Sequence, residues 1–103
     1  MVPILGNVDG FDWDEGNSNK NWHLHRVTDR ECEEVFGNVP IVIVRDETHS
    51  DFETRYAARG TTDSKRLLTV IFTMRTGLIR VISGRDMTRR EKLIYEEKTK
   101  RNS

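Results

Sequence analysis

The sequence has one cysteine, two prolines and no long apolar run. A single cysteine, Cys32, closes no disulfide within the chain and supplies no CxxC pair for zinc or thiol redox chemistry, so a reducing compartment is expected. The longest apolar stretches, Ile41 to Val44 and Leu67 to Met74, fall far short of the ~20 residues that span a bilayer. Met1 to Gly6 is too short for a secretory signal. Cytoplasmic residence without a membrane partner is the expectation. The glycines are scattered without a P-loop or dinucleotide fingerprint, and no G-x-S-x-G elbow offers a seat for acyl transfer. His23-x-His25 is no metal pair, because residues two apart on a helix point about 200° from one another. A third ligand is missing too, and nothing matches HExxH, a zinc finger or an EF-hand loop. Neither a metal nor a cofactor is expected.

Net charge is also absent, with 17 Lys and Arg against 17 Asp and Glu. The balance is uneven along the chain: residues 1–54 carry 4 basic and 12 acidic side chains, residues 55–103 carry 13 and 5. Either the halves interleave and neutralise one another, or the fold keeps them apart and offers a basic face to an anionic partner. The 103 residues make one domain, with flexible ends expected at 1–10 and 100–103. Hydrophobic types at 35% give a lean core, but the aliphatic runs are too dense for a disordered chain.

Phe11-Asp-Trp-Asp14 alternates as a short strand does, and Asp14 is placed to cap a helix over 15–25. Gly16 and the asparagines weaken that helix. The next is better marked. Thr28-Asp-Arg-Glu31 is a capping box, Val27 can staple onto Cys32, and Cys32, Val35 and Phe36 share a helical face that ends at Gly37. Cys32 therefore reads as a small core residue rather than a nucleophile. Ile41 to Val44 reads as a strand ending at an acidic turn, Asp46 to Asp51, and residues 54–59 as a strand closed by Gly60. Arg66 to Met74 and Leu78 to Ser83 are the strongest strands, joined by the hairpin loop Arg75-Thr-Gly77. A second capping box, Thr88-Arg-Arg-Glu91, opens a last helix running to about Thr99, with Leu93 and Ile94 as its anchors. The fold class is α+β, with two N-terminal helices, a mainly antiparallel four-strand sheet and a C-terminal helix.

The strand half carries an arginine cluster: Arg55, Arg59, Arg66, Arg75, Arg80, Arg85, Arg89 and Arg90. Arg80 is the one that solvation explains least, since it sits between Leu78 and Ile82 on one face. A guanidinium there must find an anion, either an internal carboxylate or a substrate phosphate held in bidentate fashion. Arg85 falls on the opposite face of an ideal strand unless a bulge, for which Gly84 is a candidate, re-aims it.

An ordered series now stands out: Phe11-Asp-Trp-Asp14, Lys20-Asn21-Trp22, His25, Val27, Asp46, His49-Ser50, Arg55, Gly60, Arg66-Leu67-Leu68, Ile79-Arg-Val-Ile-Ser83, Arg85, Arg90-Glu91 and Tyr95. It resembles the BrnT-type toxins of bacterial type II toxin–antitoxin systems over roughly Phe11 to Glu97. The resemblance implies a RelE-like fold and a metal-independent ribonuclease that inhibits translation by cutting RNA. It also implies a BrnA-like antitoxin with a ribbon-helix-helix domain, which neutralises the toxin and represses operator DNA. Two positions depart from the family pattern: Leu24 precedes His25, and Arg26 stands where glycine is usual, which alters the helix ending.

RNA scission without a metal needs a base for the 2′-hydroxyl proton, cations for the charge on phosphorus and an acid for the leaving 5′-oxygen. Arginine is too basic to be that base. The expected catalytic set is Lys20, His25, Arg80 and Arg85, the two arginines clamping phosphate and His25 or Lys20 moving the proton. Arg55 and Arg66 are the expected RNA-backbone contacts. Histidine has the more suitable ordinary pKa, near ~6.5, although His25 could instead pack on Trp22 at the helix end. Alternatives from other classes are a non-catalytic nucleic-acid-binding module and a basic interaction subunit for an acidic protein.

Overall fold

A computed structural model of the chain describes residues 9–47 and 53–100. The elements in order are β1 (Gly10–Phe11), α1 (Lys20–His25), α2 (Asp29–Gly37), β2 (Val42–Arg45), β3 (Tyr56–Thr61), β4 (Leu67–Arg75), β5 (Leu78–Asp86) and α3 (Arg89–Lys100). They form one α+β unit around a five-strand sheet of order β1-β5-β4-β3-β2. The sheet is mixed rather than a four-strand antiparallel one: Gly10 and Phe11 pair in parallel with Leu78 and Ile79. A partner more than sixty residues away leaves no trace in local alternation. His49-Ser50, most of the acidic turn 46–51, residues 1–8 and residues 101–103 lie outside the described residues.

The β4–β5 hairpin is the centre of the molecule. Thr76 and Gly77 both have positive φ, 51° and 83°, as a two-residue turn that follows the strands' own twist requires. From there the register runs from Arg75 opposite Leu78 back to Leu68 opposite Asp86, with one interruption. Phe72 faces Val81 but Ile71 faces Ser83, so Ile82 is an extra residue in β5. This bulge shifts the alternation. Val81 and Gly84 both turn toward the helices, while Arg80, Ser83 and Arg85 share the other face. The sequence pointed to Gly84 as the bulge; it falls at Ile82 instead, and Gly84 serves a different purpose.

The helix side of the sheet holds the core: Val27, Cys32, Val35, Ala58, Leu68, Val70, Phe72, Ile79 and Val81, all essentially without exposure. Phe36 meets Phe72 edge-on at 5.0 Å and Phe11 at 5.6 Å, so α2 is tied to both the centre and the edge of the sheet. The capping box of α2 is complete, with Thr28 Oγ1 accepting from Glu31 N and Glu31 accepting from Thr28 N at 3.0 Å each. Gly37 is the last helical residue rather than a left-handed terminator; Asn38 follows in extended backbone, and its side chain donates to the Thr61 carbonyl. Burial pushes the Cys32 thiol up to about 12, which keeps it protonated in the core.

The first helix is shorter than its sequence suggests. Residues 15–19 are turns, Asn19 takes a left-handed conformation at φ 61°, and helix begins only at Lys20. The polar residues that weaken the helix have another use. Beyond Ile79 no strand among the described residues lies beside the outer edge of β5. Asn17 donates to the Val81 carbonyl at 2.9 Å, and Asn21 accepts from Gly84 N at 2.9 Å. Both asparagines are buried. Side-chain amides thus take the place of a neighbouring strand and draw α1 along that edge.

At the end of α1, Arg26 has φ 55° and ψ 38°, the left-handed conformation that glycine adopts without cost. The arginine keeps the turn a glycine would make, with its guanidinium over the Trp22 ring at 5.3 Å. On α3, Tyr95 is the buried anchor, its hydroxyl donating to the Pro40 carbonyl at 2.6 Å, while Leu93 is 60% exposed and anchors nothing among the described residues.

Two expectations follow for stability. Arg26→Gly is more stable than Arg26→Ala by about 1 kcal/mol in chemical denaturation, since both lose the ring contact and only glycine relieves the positive φ. Gly84→Ala would place a Cβ 2.5 Å from Cys32 Sγ, a clash with the centre of the core. It destabilises the fold by about 1–3 kcal/mol. Adding Cys32→Ala removes the clashing sulfur, so the double variant loses less than the sum of the singles.

Candidate functional site

The face of the sheet turned away from α1 and α2 carries a cleft, a cavity of about 490 Å³. Alternation builds it. Arg55, Ala57 and Arg59 project from the β3 side, Thr69 and Ile71 from β4, Ser83 and Arg85 from β5, Val44 from β2, and Glu91 closes one end from the first turn of α3. The small Ala57 and Ser83 keep the floor low between longer side chains. Arg45 and Asp46 stand at the end of β2. Four guanidinium groups therefore line a cavity that holds two carboxylates. The cleft is cationic although the chain is neutral.

Glu91 organises the inner end. Arg85 donates to both its oxygens, at 2.7 and 2.9 Å, Thr69 Oγ1 donates at 3.0 Å, and Arg59 Nη2 stands 3.4 Å away. The same carboxylate completes the α3 capping box, accepting from Thr88 N at 2.9 Å. Hydrogen bonding from Arg85 is the main reason its carboxyl is held down to about 2, and the backbone bond from Thr88 and the Thr69 hydroxyl add to it. Arg85 is correspondingly pushed above an arginine's ordinary value. Arg59 Nε is buried and has no hydrogen-bond partner among the described residues.

The residues expected from sequence to act together are divided. Arg85 and Arg55 are in the cleft. Arg80 shares their face because of the bulge, but its guanidinium grips Asp14 at 2.9 and 3.0 Å and approaches Asp12 at 3.4 Å. Of the two anions open to Arg80, the structure has the internal carboxylate. Arg80 accordingly holds the Asp14 carboxyl below its usual range. Arg66 lies on the helix side, donating to Asp86 at 2.7 and 3.0 Å and to the carbonyls of Arg26 and His25 at 2.8 and 3.2 Å, with Glu31 at 3.3 Å. It closes the end of α1 as a cation at a helix C-terminus does.

Lys20 and His25 are exposed on α1, the helix that runs along the open edge of β5. The His25 ring makes no hydrogen bond among the described residues, and Arg26 rather than His25 covers Trp22. Arg66 chiefly, and His25 more weakly, hold the Asp86 carboxyl below its usual range, so His25 stands near the residue next to Arg85. Neither α1 residue lines the cleft.

Arg45, Arg59, Ser83 and Glu91 belong to the cleft and were absent from the expected set. A signal existed for Arg59, which repeats the alternation of Arg55 and Ala57. Glu91 was visible only as the third residue of a capping box, a role that hides the rest of its contacts.

The halves of the chain also interleave in part. Arg66 with Glu31, Arg75 with Glu53 and Arg80 with Asp12 and Asp14 each join the basic half to the acidic one. The cleft is where cations exceed carboxylates. Among the described residues no group of three or more His, Cys, Asp or Glu could hold a metal ion, and no helix is long and apolar enough to cross a membrane.

Glu91 makes stability depend on acid. Its folded-state pKa of about 2 lies below the ordinary 4.5, so the stabilisation is complete above pH 4.5 and disappears as pH falls toward 2. Asp14 and Asp86, also lowered by arginines, act in the same direction. In urea titrations, Glu91→Gln is about 2 kcal/mol less stable at neutral pH and loses less further stability on acidification than the unmutated chain.

No curated protein gives a significant match to the chain. A family model described as the ribonuclease toxin BrnT of a type II toxin–antitoxin system matches residues 13–91. That span runs from Trp13, beside the aspartates that hold Arg80, to Glu91, the carboxylate at the head of the arginine cleft. The chain belongs to the BrnT family of ribonuclease toxins of type II toxin–antitoxin systems.

Proposed function

We propose that this chain is a metal-independent endoribonuclease that inhibits translation by cutting RNA in the cytoplasm. A BrnA-like antitoxin with a ribbon-helix-helix domain neutralises it and brings the pair to operator DNA. The observation that carries the reading is the cleft: four guanidinium groups and two carboxylates on the open face of the sheet.

Guanidinium pairs suit a phosphodiester because they bind two oxygens at once and stay charged at every relevant pH. In this reading Arg85 clamps the scissile phosphate, and Arg55 and Arg59 hold the backbone beside it. Arg80, on the same face, joins the clamp when a phosphate takes the place of the Asp14 carboxylate. Arg66, already bonded to two carboxylates and two carbonyls, contributes by fixing the end of α1. His25 moves a proton, supported by its exposure beside Asp86 and by the ability of imidazole to change charge near neutral pH. Lys20 adds a cation on the same helix. The antitoxin competes for the same basic face.

Purified protein is expected to cut RNA equally well with and without EDTA, and chelator-sensitive cleavage would overturn metal independence. Arg85→Ala lowers the cleavage rate by about 10²–10³-fold, and His25→Ala by at least about 10²-fold, each with an unchanged circular dichroism spectrum. RNA that stays intact but is retained in a salt-sensitive manner would replace the nuclease with a binding module. Induced expression should arrest growth, and co-expression of a neighbouring ribbon-helix-helix protein should relieve it.

A further inference from the structure

We infer that Trp22, with Arg26 and His25 beside it, forms a stacking site outside the cleft for an unpaired base of the bound RNA. The inference rests on the ribonuclease reading and adds to it a contact that reading does not use. Trp22 is 43% exposed and is the only aromatic among the exposed large hydrophobic side chains of the described residues. Leaving an indole in water is unfavourable, and the core on the helix side of the sheet is already built by Val27, Cys32 and Val35 with the strands.

Position along α1 sorts its side chains. Asn21 turns inward to the Gly84 amide. Trp22, His25 and Arg26 are three and four residues apart and share one flank, with the Arg26 guanidinium over the indole at 5.3 Å. The 43% exposure of Trp22 is what remains with that guanidinium in place, so ring surface is left for a base. Leu24, also exposed, is two residues from Trp22 and points about 200° away. The two apolar side chains therefore form no stripe for an amphipathic helix to cover.

Charge selects the ligand. The helix and its cap carry Lys20, His23, His25 and Arg26 and no acidic residue. Carboxylates at its two ends are already engaged, Asp86 and Glu31 by Arg66, and Asp29 by the Ser18 hydroxyl and the Asn19 amide. A flat ring rimmed by cations matches a nucleobase flanked by phosphates, since every base has a π-face and every phosphate a charge. The site is also continuous with the cleft. Gly84, which donates to Asn21, precedes Arg85, the phosphate clamp of the ribonuclease reading. A strand held at Arg85 that crosses the edge of β5 comes onto α1, where His25 must meet it to move a proton.

The test uses a single strand of about eight nucleotides with 2′-O-methyl riboses, which the chain cannot cut because no 2′-hydroxyl is left to attack. Trp22→Ala should bind it at least about fivefold more weakly than the unmutated chain, and Trp22→Phe, which keeps a ring, within about threefold. The same backbone without bases should bind both variants and the unmutated chain alike. Trp22→Ala affinity within twofold of the unmutated value overturns the inference. So does an equal loss on the strand without bases, which would make the effect electrostatic or structural.

If Trp22→Ala fails to fold by circular dichroism, fluorescence decides. The strand should quench tryptophan emission of the unmutated chain and leave that of Trp22→Phe, which retains only Trp13, unchanged. Equal quenching of the two overturns the stacking. A Trp22→Ala chain that binds the strand normally but no longer co-purifies with a co-expressed neighbouring ribbon-helix-helix protein overturns it as well and gives this flank to the antitoxin. An unmutated chain that neither binds the strand nor cuts RNA removes the ribonuclease reading and the stacking with it, whereas tight binding independent of Trp22 removes the stacking alone.

Discussion

One extra residue in β5 holds the arrangement together. Without Ile82 out of register, a strand that buries Ile79 and Val81 would turn Arg85 into the core and Gly84 away from it. The bulge restores the phase, and Val81 and Gly84 both face the helices while Arg80, Ser83 and Arg85 share the open face. Packing depends on the same shift. Cys32 Sγ occupies the space where a side chain of Gly84 would stand, and the Gly84 amide donates to Asn21. A single register change therefore positions α2 over the sheet, α1 along its edge and the arginines on its far side.

The second constraint is that a half-buried guanidinium requires an anion. Five arginines of the sheet half, at positions 55, 59, 66, 80 and 85, are half-buried. Arg80 meets this need with Asp14, and Arg66 with Asp86 and, more distantly, Glu31, and in doing so they fasten the N-terminal elements to the strands. Arg85 meets it with Glu91, in a cavity that other arginines also enter. The same chemistry thus has two outcomes. A closed pair such as Arg80 with Asp14 binds one part of the fold to another, whereas the open cluster around Glu91 keeps donors available to a phosphate.

Local signals transferred well to structure. Both capping boxes form with their reciprocal bonds, since each depends on residues three apart. The Arg75-Thr-Gly77 turn, the strands on either side of it and the burial of Cys32 are likewise consequences of short-range pattern. Asn17 and Asn21 do more than their sequence shows, for a physical reason. Helix propensity scores an asparagine as weakening, which is correct for residues 15–19, but it cannot show that a buried amide replaces a strand at an edge of the sheet. The left-handed Arg26 is similar: an arginine in a glycine position looks like a changed helix ending, yet the backbone keeps the same turn.

Composition, capping pattern and alternation alone determine an α+β domain with a central hairpin, a buried thiol and a surplus of arginine in the second half, because each follows from neighbours a few residues apart. The ordered motif series likewise identifies the family from sequence. Which arginine meets which carboxylate is decided only in three dimensions, by the parallel pairing of β1, the register of β5 and the approach of α3. Arg80 meets Asp12 and Asp14, and Glu91 meets Arg59 and Thr69, over long stretches of chain, and Coulomb attraction and hydrogen bonding act on distance in space. That is why Glu91 reads as a helix cap in the sequence and as the centre of a cationic cleft in the fold.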